Sequence, residues 1–342
     1  LADSAGGLWR GARRREELVE QALAALHLYE RDRHYLVRDG RVLIIDEHTG
    51  RTMADRSWER GLHQMIEIRE GLPVSGRNEH IARLTYQRFF RRYQWLSGMT
   101  GTAREVRREL WSIYRLAVVP IAPHRPCQRR LVGARVHADG AGRWAEVVRR
   151  VQDLQAAGRP VLVGTRSVAD SEHLGALLQA AAIPHQVLNA RQDADEAAIV
   201  ARAGIRGAVT VATNMAGRGT DILLGAGVAE LGGLHVIATE RNDAGRIDRQ
   251  LFGRAARQGD PGSCELQLSL EDDVLRDQKG GRTHLLLGAL LRRGVPGAES
   301  LALLFLRLAQ RSRERRHQAL RRSLLRLETR LGRLLAFSGR ME

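Results

Sequence analysis

Between residues 119 and 280 the chain alternates two kinds of segment. Short, almost wholly apolar runs stand at 161–164 (VLVG), 186–188 (QVL), 209–212 (VTVA), 234–237 (LHVI) and 265–270. Helical stretches near 143–157, 168–181 and 194–203 separate them. Strands of that composition are buried on both faces, and a parallel sheet with helices on each side buries them so. The expected fold is α/β, a parallel sheet flanked by helices.

The flanking regions read differently. Residues 13–31 predict a helix with Leu18, Ala22, Leu26 and Tyr29 on its apolar face. Residues 34–37 and 42–45 predict a hairpin turning at Arg38-Asp39-Gly40. A second helix is expected over 58–70, ended by Gly71-Leu72-Pro73. Residues 80–118 read as two helices around the polar joint Gly98-Met99-Thr100-Gly101-Thr102. From about Ala298 a long helix follows, in which Leu320, Leu324, Leu327, Leu331 and Leu334 step by 4, 3, 4 and 3, a seam that suits a partner helix.

Charge narrows the chemistry. The chain has 342 residues and a formal charge of +16, with 55 Lys plus Arg against 39 Asp plus Glu. Lys279 is the one lysine, and no GxxxxGK[ST] precedes it. A phosphate-cradling P-loop needs that lysine, so these residues contain none. A basic chain points to nucleic acid, anionic lipid or an acidic partner. Aromatics are only 4%, which is little surface for stacking bases, and nucleic acid is not expected as a partner. No apolar run approaches the ~18 residues of a membrane span. The two cysteines lack zinc spacing, so no metal site is expected and a reducing compartment is the default. The first residue is Leu and the first Met is Met53, so the chain reads as the later part of something longer.

Two motifs carry chemistry. The first, TNMAGRGTDI at 213–222, follows the run at 209–212. Its glycines let backbone approach a ligand, and it projects Arg218 and Asp221 at a strand's carboxyl end, where open α/β sheets bind ligands. Arg can contact phosphate; Asp can contact a ribose hydroxyl or an arginine. The second, RIDRQLFGRAARQGD at 246–260, holds QxxGRxxR with Gln250, Arg254 and Arg257 on an expected helix, which puts the two later arginines on one face. Two fixed guanidinium groups suit a triphosphate's terminal oxygens.

Together these motifs look like the second RecA-like lobe of a superfamily-2 motor. With IIDEHTGRTM, GLHQ, LSGMTGTA, PVLVGT, GLHVIATER and RIDRQLFGRAARQGDPGS, the chain resembles the SecA family of bacterial preprotein translocase ATPases from about Leu26 to Asp273. The resemblance implies a RecA-like sheet with an N-terminal α+β segment and a long C-terminal scaffold helix. It implies four regions: 1–80, a remnant of the preprotein-cross-linking domain; 81–118, the returning part of the first ATPase lobe; 119–280, the second lobe; and 281–342, the start of the helical scaffold. It implies that Gly217, Arg218, Gly219, Asp221 and Gln250 contact ATP. Arg254 and Arg257 would be fingers on it, and Arg246 would belong to the same interface. Magnesium would come through the missing lobe. Met99 to Thr102 would couple the lobes. The implied partners are the SecYEG channel, unfolded preprotein, anionic phospholipid and the missing N-terminal ATPase lobe. The implied place is cytoplasmic, peripheral at the inner membrane.

Residues 42–47 (VLIIDE) have the form of a Walker B strand, which would make Glu47 catalytic. No P-loop precedes them, and the resemblance assigns them to the cross-linking domain. His48 and His63 are read as structural, since no HExxH spacing exists. The family's P-loop, its acidic pair, its wing domain and its zinc tail are missing, and Phe252 stands where an arginine is usual. ATP turnover by these residues alone is therefore not expected. A degenerate, non-hydrolysing binding module is the alternative, and a nucleic-acid helicase lobe is a third reading.

Overall fold

The computed structural model describes residues 11–45, 52–53, 55–76, 84–189, 196–213 and 220–335. Two compact units emerge. One comprises Leu1–His80, Thr165–Arg202 and Thr210–Thr220; the other comprises Ile81–Gly164, Ala203–Val209 and Asp221–Glu342.

In the first unit, helix α1 (Ala12–His27) precedes the strands β1 (Tyr35–Arg38), β2 (Arg41–Ile45) and β3 (Thr52–Met53), then helix α2 (Leu62–Arg69). The strands form an antiparallel sheet in which Arg38 pairs with Arg41. That register leaves a two-residue loop, and Asp39 and Gly40 both take positive φ, 51° and 69°. This is the hairpin turn whose twist matches the strands. Ala25, Tyr35, Val42, Leu62 and Ile66 form the core beneath it. Arg69 donates to the carbonyls of Ala25 and Tyr29 at 2.5 and 2.6 Å, closing the end of α1. The sequence put Leu26 on the buried face. It is 56% exposed, and Ala25 is buried in its place, because a small side chain lets α1 approach α2 closely. A Walker B strand belongs to a parallel sheet; β2 lies in this antiparallel one, which removes that reading, although Glu47 and His48 themselves lie outside the described residues. His63 is buried against Trp58, with Nε2 3.5 Å from Glu67, a packed and paired histidine.

The larger sheet has six strands: β4 (Gln128–His137), β5 (Val161–Thr165), β6 (Gln186–Leu188), β7 (Val209–Thr213), β8 (Leu234–Ala238) and β9 (Pro261–Ser269). Their order is β4-β9-β8-β5-β7-β6, with parallel pairing at β4–β9, β9–β8, β8–β5 and β7–β6. Every residue of β5, β7 and β8 is buried, as their composition demands. The flanking helices are α5 (Gly140–Ala156), α6 (Val168–Ala180) and α7 (Glu196–Arg202). Asp139 caps α5 by accepting from Gly142 N at 2.8 Å, and Ser167 caps α6 through Asp170 N at 3.0 Å. The helices expected between 80 and 118 are shorter than read: α3 (Tyr86–Phe90) and α4 (Arg107–Tyr114), with a 3-10 turn at Ala103–Val106.

Strand β9 is not an apolar run like its neighbour β8. Ser263, Glu265, Gln267 and Ser269 alternate along one face and are all buried. Arg150 of α5 donates to Glu265 at 3.0 Å, and His235 of β8 stands 3.5 Å from the same carboxylate. Ser263 bridges His235 at 2.7 Å and Arg159 at 2.8 Å. Burial pushes the Glu265 carboxyl up; His235 and Arg150 outweigh it and hold it at about 2. A carboxyl lowered on folding stabilises above its unfolded value near 4.5 and loses that contribution as pH falls toward 2. Glu265→Gln should therefore flatten the acid limb of stability by about 3 kcal/mol. Urea midpoints measured between those pH values test it, and an unchanged limb would refute it.

Past β9, a 3-10 turn (Asp273–Gln278) leads to α9 (Arg282–Arg292) and then to α10 (Ala298–Leu335), 38 residues or about 57 Å long. The root of α10 is fixed to the segment after β8. Gln310 donates to Asn242 O and to Asp248 Oδ2 at 2.8 and 2.7 Å, and Arg313 donates to Asp243 and Asp273. Leu320, Leu324 and Leu327 of the predicted seam are each more than half exposed. The side chains of Leu331 and Leu334 lie outside the described residues. No helix among the described residues is long and apolar enough to cross a membrane.

Candidate functional site

Of the predicted site residues, Asp221, Arg246, Gln250, Arg254 and Arg257 lie in the second unit, and α8 (Gly245–Phe252) carries Arg246 and Gln250. This helix sits directly on β5 because residue 164 is glycine; a Cβ there would lie 2.4 Å from Leu251. Helix α8 ends at Phe252, and residues 253–260 turn back toward β9. Ala256, Gln258 and Gly259 take φ of 55°, 52° and 87°. Arg254 and Arg257 therefore do not share a helical face as the spacing suggested. They project from a tight non-helical turn, whose backbone runs so close to β9 that a Cβ on Gly262 would meet Ala256 N at 2.6 Å.

That turn brings Arg257 to Asp221. The Arg257 guanidinium donates to Asp221 Oδ1 at 2.5 Å, and Gln258 Nε2 donates to Oδ2 at 3.0 Å. Both carboxylate oxygens are thus held, from residues 36 and 37 positions later. The pair is solvent-accessible, with Arg257 42% and Asp221 35% exposed. Gln258 was not among the residues read from sequence. Its only signal was its place beside Arg257, and the positive φ that turns it toward Asp221 has no mark in its residue type. Arg254 is half-buried in the same turn. Gly217, Arg218 and Gly219 lie outside the described residues.

Arg246 and Gln250 lie one turn apart on α8. Among the described residues, no hydrogen bond or ion pair joins either of them to Asp221 or Arg257. Arg246 lines a cleft with Glu109, opposite α10. On its exposed side α8 also meets the segment after the polar joint: Arg249 forms an ion pair with Glu105 in the turn Ala103–Val106. In the joint itself Thr100 Oγ1 accepts from Thr102 N at 3.3 Å, and Met99 is 98% exposed. Glu109 of α4 is paired bidentately with Arg321 at 2.6 and 3.0 Å; that hydrogen bonding holds its carboxyl below the usual range.

Two family profiles match the chain. The SecA P-loop domain covers residues 126–229 and 226–292, and the SecA preprotein cross-linking domain covers residues 7–67. The chain belongs to the SecA family. Protein translocase subunit SecA 2 of Nitrosospira multiformis is 52% identical over 98% of this chain and 50% of its own length. SecA 2 of Bordetella avium is 50% identical over 97% of this chain and 50% of its own length. SecA of Chloroflexus aggregans is 48% identical over 75% of this chain and 30% of its own length. The chain spans about half the length of the first SecA relatives it matches. A solved structure of the E. coli DEAD-box protein SrmB, 22% identical over 44% of this chain and 84% of its own, superposes with a TM-score of 0.36, too slight a likeness to carry an argument. The match to the SecA P-loop domain includes β4 through α9, the whole of the turn that carries Arg254 and Arg257.

Proposed function

We propose that this chain supplies the arginine-finger half of an ATP site in SecA-type translocation of preproteins across the bacterial inner membrane. The observation that carries the reading is the Asp221–Arg257 pair, set in a solvent-accessible turn with Arg254 and following the strand β7. The donor set fits the ligand. Guanidinium groups of Arg254 and Arg257 suit phosphate oxygens, and Asp221 suits either a ribose hydroxyl or the arginine it now holds. ATP supplies the phosphoanhydride whose cleavage releases the free energy. Arg246 and Gln250 would reach the ligand from α8, and Gly217, Arg218 and Gly219 from the loop after β7.

The complementary half, the phosphate cradle and its magnesium, would come from a P-loop-bearing ATPase lobe. We place the cross-linking remnant at 1–80, the returning part of the first lobe at 81–118, the second lobe at 119–280 and the scaffold at 281–342. Unfolded preprotein is the substrate, supported by the cross-linking profile at 7–67. The SecYEG channel and anionic phospholipid are the further partners, at the cytoplasmic face of the membrane.

The purified chain alone is expected to show no ATP turnover above a protein-free control. Co-expressed with the P-loop-bearing half of the Nitrosospira multiformis relative, it should gain turnover on the scale of 1–100 per second that positioned phosphoryl transfer reaches. Robust hydrolysis by the chain alone would refute the half-site. A stable complex with no turnover would favour a non-hydrolysing binding module.

A further inference from the structure

The cleft that Arg246 and Glu109 line, about 550 Å³ in volume, opens between α8, α4 and the face of α10 that carries residues 307–321. Seven arginines and four carboxylates line it. The negative groups are mostly taken. Glu105 is paired with Arg249, Glu109 with Arg321, and Asp248 with Gln310 and Arg241. On α10, Arg307, Arg311 and Arg315 repeat every four residues along the cleft wall, and no described residue forms a hydrogen bond or ion pair with any of them. Like charges at that spacing repel each other along a helix. A stripe of this kind gains from an opposite charge placed between its members.

Two further features point the same way. Arg241 is 9% exposed and lines the cleft; it donates to Gln310 at 3.1 Å, and its buried Nε has no hydrogen-bond partner among the described residues. Burial pushes its guanidinium below the ordinary value, and neighbouring Arg307 adds to the shift. At the start of α8 the N-cap is Ala244, which has no side-chain acceptor, and Gly245 and Arg246 of that first turn line the cleft. Uncapped first-turn amides favour anions. Leu131, Phe252 and Leu266 give the floor an apolar patch, the usual mixture of a small-molecule site.

We propose that this cleft binds a small phosphate-bearing anion of the di- or polyphosphate class, held chiefly by Arg307, Arg311 and Arg315. Charge-assisted bonds from several guanidinium groups suit adjacent phosphates, whose oxygens accept in a plane. The cleft contains neither Asp221, Arg254 nor Arg257; Arg246 of α8 is the one residue it shares with the proposed ATP site, and the proposal does not rest on that reading.

Inorganic pyrophosphate titrated into the full chain by calorimetry tests it. Saturable binding is expected, weakened about tenfold or more in Arg307→Gln/Arg311→Gln. Arg326→Gln/Arg330→Gln removes equal charge from the same helix beyond the cleft and should stay within about twofold of the parent. Arg257→Gln, at the proposed ATP half-site, should leave the Arg307/Arg311-dependent part of the binding in place, which separates this cleft from the finger site. Unaltered melting temperatures would show that the variants fold, and Arg307→Lys/Arg311→Lys should restore part of the affinity. No saturable heat up to ~1 mM, an equal loss in the Arg326/Arg330 control, or a loss confined to Arg257→Gln would each overturn the proposal.

Discussion

Arg143→Ala should cost the folded chain about 3–5 kcal/mol, the usual penalty for stripping one partner from a buried ion pair. Arg143 of α5 reaches across the carboxyl ends of β8 and β9. It donates to Asp272 Oδ1 at 2.6 Å, to Glu240 at 3.3 Å and to Thr239 O at 3.2 Å. The Asp272 side chain has no exposed surface, and its second oxygen accepts from Ser269 N at 3.1 Å. Alanine would take from both carboxylates the guanidinium they share. Burial and the nearby Glu240 already push the Asp272 carboxyl up against the pull of Arg143. Once that pull is gone, Asp272 takes a proton more readily. The deficit should therefore be largest near neutrality and shrink as pH falls into the carboxylate range. Denaturant titrations at several pH values check both statements. A loss under about 1 kcal/mol, the worth of an exposed pair, would show that this cluster is solvated in solution.

The second large effect concerns the proposed fingers. In the complemented enzyme, Arg254→Ala should lower ATP turnover by about a thousandfold, the lower end of what a positioned arginine contributes to phosphoryl transfer. Arg254 is the cleaner target because changing Arg257 would also break its bond to Asp221, 2.5 Å away. Asp221→Ala should release Arg257 as well as remove a ligand contact, so its effect mixes two causes. Steady-state kinetics separate them. Arg254→Ala is expected to act on kcat with little change in KM. A variant that keeps turnover within about tenfold of the parent would remove Arg254 from the transition state.

Much of the fold was legible because burial writes itself into composition. The apolar runs at 161–164, 209–212 and 234–237 became β5, β7 and β8 with every residue buried. The hairpin was legible because Asp-Gly at 39–40 has one favoured turn. Strand β4 was not legible. It is an edge strand with Arg129, Arg130 and Arg135, mostly exposed, and its pairing shifts between Leu131 and Gly133, so no period could mark it. The arginine turn was misread as helix because spacing alone says nothing of the positive φ at Ala256 and Gln258. Asp221 and Arg257 were read from the sequence as candidate site residues, but their contact was not, since it joins positions 36 apart. The Arg143 cluster draws on three segments, and nothing local in any of them announces it.

The place of β4 at the sheet edge also bears on how the chain is made. Its one partner is β9, and the paired residues, such as Gln128 and Pro261, are about 130 positions apart. At 5–20 residues per second, β4 leaves the ribosome roughly 6–26 s before the strand that pairs with it. During that interval it presents an unsatisfied backbone with Leu131 and Val132 side by side, 60% and 59% exposed even in the finished fold. Arg129, Arg130 and Arg135 flank that apolar step and discourage pairing with another nascent chain. Those arginines, which look like part of a general basic surplus, stand where charge would keep an unpaired strand soluble until its partner emerges.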